Sequence, residues 1–491
     1  MNLRLHVHSL RRLPVPQKPA VAMLGLCAVF ALFGCTVGPN YVRPPADVPA
    51  NYKEMGNWKT AQPSDQTTKG SWWEVYEDPQ LNALEEQIDV SNQNLKAAQE
   101  QFAQARAAIR ISRSNFYPTV TGGASASQSH ISSKSPLFRV GASKADYSDY
   151  TIPIDASWEP DLWGRVRRTV EASRSEAQAT AADVANVSLS LHAELALDYF
   201  QLRGLDAQKD LLDSTVVAYE KALDLTQNRY KAGLASAVDV AQAETQLRTT
   251  RAQAIDVGVN RAAFEHAIAV LIGKPPSQFN LPSSPLRASP PAIPPGVPSD
   301  LLERRPDIAA SERRMQESNA QIGVAKSAYY PLVTLTGGGG FESGVFTTLL
   351  QGPAGFWSVG AAASETIFEG GRRHAVTEQA QAAYRQTIDS YRQTVLGAFQ
   401  EVEDNLAALR ILNDEEVVQQ SAVSSAEHSL ALSINRYKGG IVNYLEVITA
   451  QNAALADEVT EVSILTRRMQ ASVLLVKAIG GSWNVSQIPP V

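Results

Sequence analysis

The chain has 491 residues, ample for a large core or more than one domain, with 44 basic against 50 acidic side chains and a net charge of −6. Charged residues make up 19%, and this mild acidic balance is no electrostatic footprint for nucleic acid. The two cysteines, Cys27 and Cys35, lie close together near the N-terminus and rule out a disulfide framework.

Arg4, Arg11, Arg12 and Lys18 make a basic start, followed by the apolar run Ala20–Gly34. That run is too short to span a bilayer comfortably and has signal-peptide flanks, so residues 1–34 read as an export signal. It ends in Leu32-Phe33-Gly34-Cys35, which resembles a bacterial lipobox, with Phe33 bulkier than the residue usual there. Cys35 is expected to carry a covalent lipid, the one attached group foreseen; an incidental cysteine in an ordinary signal is the other reading. Thr36 in place of aspartate favours outer-membrane sorting, by analogy with bacterial lipoproteins. Beyond Cys35 no stretch is long and apolar enough for a transmembrane helix, so any crossing must use strands.

Residues 35–80 read as an acylated, extended arm, since Asn40–Gly70 is Pro-rich, polar and aperiodic. Leu81–Ser114 lacks Pro and Gly and is expected to be one helix, closed by Pro118. The period then changes to two. Val120, Gly122, Ala124 and Ala126 alternate with Thr119, Thr121, Ser125 and Ser127. Tyr150, Ile152, Ile154, Ala156 and Trp158 likewise oppose Thr151, Asp155 and Ser157, a half-buried strand pattern. After Trp163-Gly164-Arg165 a heptad-like stripe runs to Arg229, a helix of about 98 Å. The chain turns at Gly233, and a second helix runs from Ala237 to Ile272.

A Pro-rich linker, residues 274–300, separates this first repeat, residues 81–273, from a second over residues 301–481 and a tail over 482–491. In the second repeat Val333, Leu335 and Phe341, then Trp357, Val359, Ala361 and Ala363, supply the alternating apolar positions. A second long helix runs from Arg372 to Arg436, and the last helix ends at Ile479-Gly480-Gly481. The two shorter helices of a repeat, stacked end to end, would match the long one in length. With two strands per repeat, four per chain cannot close a membrane barrel: either several chains share one barrel, or the strands form a soluble sheet.

Asn228–Val240 (NRYKAGLASAVDV) returns almost unchanged as Asn435–Val447 (NRYKGGIVNYLEV). Arg229, Lys231, Arg436 and Lys438 sit where a helix C-terminus favours cations. Gly233 and Gly440 suit a left-handed cap, and Asp239 and Glu446 fall in the first turn of the next helix. Capping alone explains every one of these residues; a gating role is the alternative.

The residues Cys35-Thr36-Val37-Gly38-Pro39-Asn40-Tyr41-Val42-Arg43-Pro44-Pro45, Trp163-Gly164-Arg165, Glu303–Ile308 (ERRPDI), Tyr329-Tyr330-Pro331 and the paired turns resemble TolC-like outer-membrane efflux channels, specifically the acylated OprM/NodT branch. The resemblance covers the chain from Cys35 onward. It implies an α+β, mostly long α-helical fold: a homotrimer with a 12-stranded transmembrane β-barrel continuing into a 12-helix periplasmic α-barrel, each chain an internal duplication. The partners it implies are outer-membrane lipid, a periplasmic adaptor protein and an inner-membrane RND-type pump that supplies the energy. It places Arg229, Tyr230, Asp239, Arg436, Tyr437 and Glu446 at the periplasmic gate, with Tyr437 held near Asp239 and Glu446 lining the constriction. Val442 stands where TolC has an arginine and Thr449 at a second acidic position, so one latch and one acidic ring of the family are missing.

No catalytic or metal constellation is legible: His130, His192, His266, His374 and His428 are scattered, and Gly337–Gly340 is followed by no Lys-Ser/Thr. The expected function is a gated passive conduit for small molecules. A coiled-coil lipoprotein tether, or export of protein or oligosaccharide through the same channel, are the rival readings.

Overall fold

The computed structural model describes residues 36–45, 48–55, 71–132, 146–293, 296, 298–482, 486 and 489. The expected signal segment, Cys35, residues 56–70 of the arm, residues 133–145 and most of the tail lie outside them. The first series of main elements is α1 (Pro79–Ser91), α2 (Gln93–Ser114), β1 (Thr119–Gly122), β2 (Ser125–His130), β3 (Asp146–Trp158), α3 (Arg165–Lys231) and α4 (Ala237–Leu271). A second series follows: α5 (Pro306–Ser327), β4 (Leu332–Ser343), β5 (Gly355–Ser364), α6 (Arg372–Lys438) and α7 (Tyr444–Ala478). The chain is mostly helical with one antiparallel sheet. Corresponding helices have equal lengths in the two series: 22 residues in α2 and α5, 67 in α3 and α6, 35 in α4 and α7.

The chain divides into two compact units. One comprises the described residues of Met1–Tyr41 with Ala108–Ser173 and Gln316–Tyr384, and it contains the sheet. The strand order is β1-β3-β4-β5, with β2 also on β3. Strands β1 and β2 share one register along β3: Gly122 faces Ile154 and Ser125 faces Thr151. The gap between them falls opposite Pro153, which accepts from the Gly123 N–H (3.1 Å) and has no N–H to return. The described residues thus supply four rows of strand.

Register sorts the side chains. Val120, Ala156, Gly337 and Val359 align across the strands, as do Gly122, Ile154, Gly339 and Trp357. The alternate rows hold Thr121, Asp155, Gly338 and Ser358, or Thr119, Ser157, Thr336 and Gly360. One face is apolar and the other polar, yet the apolar one is uncovered within the chain: Trp357 is 79% and Val359 77% exposed. A Cβ on Gly340 would lie 2.1 Å from the Ile152 carbonyl oxygen, so the glycine run brings β4 hard against β3.

The other unit comprises Val42–Ala107, Arg174–Met315 and Arg385–Val491. Here the expected single helix over Leu81–Ser114 is two helices. Asn92 leaves α1 in an extended conformation, and its Oδ1 accepts from Leu95 N–H (2.9 Å) as the cap of α2. Its Nδ2 donates to the Leu271 carbonyl (2.7 Å) while Ser91 Oγ donates to the Ile272 carbonyl (2.7 Å), so α4 ends on the start of α2. At the corresponding place α7 ends on the approach to α5, where Arg305 Nη1 donates to the Ala478 carbonyl (2.9 Å). Arg305 is 7% exposed and also pairs with Asp307 and Glu401, each at 2.6 Å. The shorter helices do meet end to end, and α4 ends at the junction of α1 and α2 rather than on one continuous helix. The long helices each run two residues past the expected end, to Lys231 and Lys438.

Residues Trp72–Tyr76, read as part of the arm, form a 3₁₀ turn whose Trp72, Trp73 and Tyr76 are buried. Trp73 stacks on His192 at 4.3 Å. The His192 ring bonds Glu85 (2.7 Å) through Nδ1 and Asp89 (3.2 Å) through Nε2. Burial pushes the Glu85 carboxyl up to about 7, against the lowering effect of its bond to His192.

Both the glycine packing and the buried carboxyl can be tested. Gly340→Ala is expected to cost about 1–3 kcal/mol in sheet stability through overpacking, read as a lower melting temperature of the folded protein. Gly337→Ala, whose Cβ would meet nothing closer than 4.0 Å, is the matched control, and equal behaviour of the two would refute the argument. Because the folded pKa of Glu85 lies above its unfolded value, its stabilising contribution is present at low pH and is lost as pH rises through about 7. The melting temperature of the wild-type chain should therefore fall relative to Glu85→Gln between roughly pH 5 and pH 8; a constant difference would sink the assignment.

Candidate functional site

The duplicated Asn-Arg-Tyr-Lys motif closes the α3–α4 and α6–α7 hairpins, and both turns lie in the helical unit. Each helix ends in the same hydrogen-bond pattern. Gly233 N–H donates to the Tyr230 carbonyl (2.9 Å) and Leu234 N–H to Arg229 (2.8 Å); Gly440 donates to Tyr437 and Ile441 to Arg436, both at 3.0 Å. Gly233 and Gly440 have φ of +73° and +72°. Open space surrounds the Gly233 Cβ position, so conformation, not crowding, demands glycine there.

Past the glycine the two turns diverge. In the first, Ser236 caps α4: its Oγ accepts from Asp239 N–H (3.1 Å), and Asp239 Oδ2 accepts from Ser236 N–H (2.9 Å), a closed capping box. In the second, Asn443 makes no side-chain cap. Glu446, one methylene longer than Asp239, instead accepts from Arg436 Nη1 at 2.7 Å.

Arg229 joins the hairpins. Its Nη1 donates to the Lys438 carbonyl (2.8 Å), capping α6 from outside, and its guanidinium lies over the Tyr437 ring at 4.9 Å. Tyr437 is 3% exposed and packs with Ala243, Tyr444 and Val447, and Val442 sits against this cluster. Burial pushes the neighbouring Tyr444 hydroxyl up to about 12, so it stays protonated and neutral.

The expected Tyr437–Asp239 contact is not made within the chain. Asp239 is committed to its own helix cap, and the buried Tyr437 hydroxyl has no hydrogen-bond partner among the described residues. Tyr437 acts through its ring, and Arg229, which capping alone would explain, spans the two hairpins together with Ala243 of the Tyr437 cluster and Gln246, which donates to Asn452 (2.6 Å). No local sequence signal marks Arg229 over Arg436, because the motif is the same in both copies. Tyr230, the counterpart of Tyr437, is 50% exposed. Among the described residues, Thr449 bonds only the carbonyl of Leu445 in its own helix (2.9 Å). Among the described residues no three His, Cys, Asp or Glu side chains gather to hold a metal ion.

Comparison with known proteins bears on the whole chain. The pattern of the family described as "Outer membrane efflux protein" matches residues 84–274 and 297–481. The toluene efflux pump outer membrane protein TtgF of Pseudomonas putida is 31% identical over 478 residues, covering 95% of this chain and 98% of that protein. Among solved structures, the outer-membrane channel OprN superposes with a TM-score of 0.83 at 30% identity, covering 91% of this chain and 100% of that one. The Campylobacter jejuni CmeC outer membrane channel gives 0.86 at 25% identity, covering 92% and 96%. This chain belongs to the outer membrane efflux protein family, the TolC-like channels, and is an outer-membrane efflux protein that extends into the periplasm.

Proposed function

We propose that three copies of this chain form one channel, twelve strands closing a barrel in the outer membrane and twelve long helices walling a tunnel in the periplasm. The observation that carries this reading is the sheet. It has an apolar face left uncovered and two edges, β1/β2 and β5, that no other described strand of the chain pairs. An open edge and a bare apolar face are both resolved when identical sheets join edge to edge inside a bilayer. A coiled-coil tether has no need of such a sheet.

The channel is read as the outer component of a tripartite system, with a periplasmic adaptor and an inner-membrane RND-type pump. A lipid on Cys35 would add a second hold on the membrane. The toluene efflux relative supports small toxic molecules, solvents among them, as cargo.

The paired turns are read as the gate. Within each chain Arg229 holds the second hairpin to the first through one carbonyl bond and one ring contact, together about 1–3 kcal/mol for partly exposed groups. Three such clasps acting together amount to roughly 3–9 kcal/mol, enough to shift a closed-to-open ratio by at least about a hundredfold.

Single-channel recording in planar bilayers tests this. Wild type is expected to be a mostly closed, small conductance that rises in Arg229→Gln. Tyr437→Phe, which keeps the ring and loses only an unbonded hydroxyl, is expected to behave as wild type. A wide-open wild type, or a Tyr437→Phe channel as leaky as Arg229→Gln, would overturn the clasp; well-folded protein without conductance would overturn the channel.

A further inference from the structure

The tip motif occurs twice, but one chain uses it only once. The first hairpin gives an arginine, Arg229, and the second receives it with the Tyr437 ring and the Lys438 carbonyl. The mirror set consists of Arg436 on the second hairpin and Tyr230 with the Lys231 carbonyl on the first. Within the chain this set is not joined. Tyr230 is half exposed and, among the described residues, has no ring or cation partner; no side chain among them reaches the Lys231 carbonyl. The Arg436 side chain is 52% exposed.

We propose that this second set joins neighbouring copies: Arg436 of one copy lies over the partner subunit's Tyr230 and donates to the carbonyl of the partner subunit's Lys231. The proposal rests on the closed trimer argued above. In a closed ring every hairpin has one neighbour in its own chain and one in the next, so a contact running from first hairpin to second must be followed by one running from second to first. The duplicated motif equips both boundaries with the same chemistry, and the occupant of the bare Tyr230 surface is a second copy of this chain. Apolar side chains flank both half-sites in water: Leu234 and Val238 on the first hairpin, Ile441 and Leu445 on the second. The bond to Glu446 is compatible with this role. It uses Nη1 of Arg436, and a guanidinium keeps further N–H donors on Nε and Nη2 for a second acceptor. Glu446 is then the positioning residue that aims Arg436, as the capping box keeps Asp239 away from Arg229.

Thiol cross-linking of the full chain in outer membranes tests this, since replacing Tyr230 and Arg436 by Cys adds the only thiols beyond Cys27 and Cys35. With a short bifunctional maleimide, Tyr230→Cys/Arg436→Cys is expected to give covalent dimers and trimers on denaturing gels, and neither single variant should. Arg229→Cys/Tyr437→Cys is the internal standard and should link within one chain, at monomer mass. Amine cross-linking of the same membranes reports assembly separately. Trimers by amine chemistry with no intermolecular thiol product would overturn the contact and leave the trimer standing. No trimer by amine chemistry in wild type would overturn both. A second measurement needs no cysteine: Arg436→Gln and Tyr230→Ala should each lower the trimer dissociation temperature, and the double variant should lower it no further. Fully additive losses would show that the two residues do not meet.

Discussion

The last turn of a helix leaves carbonyl groups without partners, and the helical unit of this chain is organised by where those carbonyls find donors. The end of α4 takes them from Ser91 and Asn92, the end of α7 from Arg305, and the end of α6 from Arg229. In each case the donor belongs to a different element from the helix it caps. Helix termination, which elsewhere is a local matter of turns, here holds distant parts of the sequence together: 179 positions separate Asn92 from Leu271, and 209 separate Arg229 from Lys438.

The same chemistry is used at two strengths. Arg305 is buried, sits between Asp307 and Glu401, and loses two charge-assisted partners as well as a carbonyl if it moves. Asp307 and Glu401 are both partly exposed and solvent screens them, but losing them would leave the Arg305 charge itself buried without a partner. Arg229 is half-buried and, among the described residues, forms no ion pair; a carbonyl and an aromatic face are its partners. The joint at Arg305 is therefore the more strongly held contact and the hairpin tip at Arg229 the weaker one. In the channel proposed above, that ordering would keep the wall intact while the tip opens, and it follows from which neighbours each arginine has.

Much of this was legible from the residues. Alternation in Tyr150–Trp158 and Trp357–Ala363 assigned the two faces of the sheet as the strand registers do, because period two leaves no freedom once one face is apolar. The heptad stripe and the glycines located the long helices to within two residues. The break at Asn92 was not legible, since asparagine tolerates a helix interior and becomes a cap only when Leu271 arrives to take its Nδ2. The buried turn Trp72–Tyr76 was hidden in a polar arm, because its apolar environment is supplied by residues far away, among them Phe200 and His192. The partner of Tyr437 was misjudged for a related reason. The resemblance to TolC-like channels implied a contact with Asp239, but within the chain Asp239 has a nearer claimant in the backbone of its own helix.

Duplication makes the two hairpins alike, and one exchange of capping residues makes them different. Where the first turn has Ser236 and Asp239, which satisfy each other, the second has Asn443 and Glu446, which do not. A closed capping box fixes the start of α4 and keeps its acid from competing for Arg229. The uncapped start of α7 leaves Glu446 to bind Arg436 across the turn. The first turn is thus closed by its own capping box, and the second by a side-chain bond between Arg436 and Glu446. Exchanging Ser236 and Asp239 with Asn443 and Glu446 would move the capping box to the second turn while leaving composition and charge unchanged.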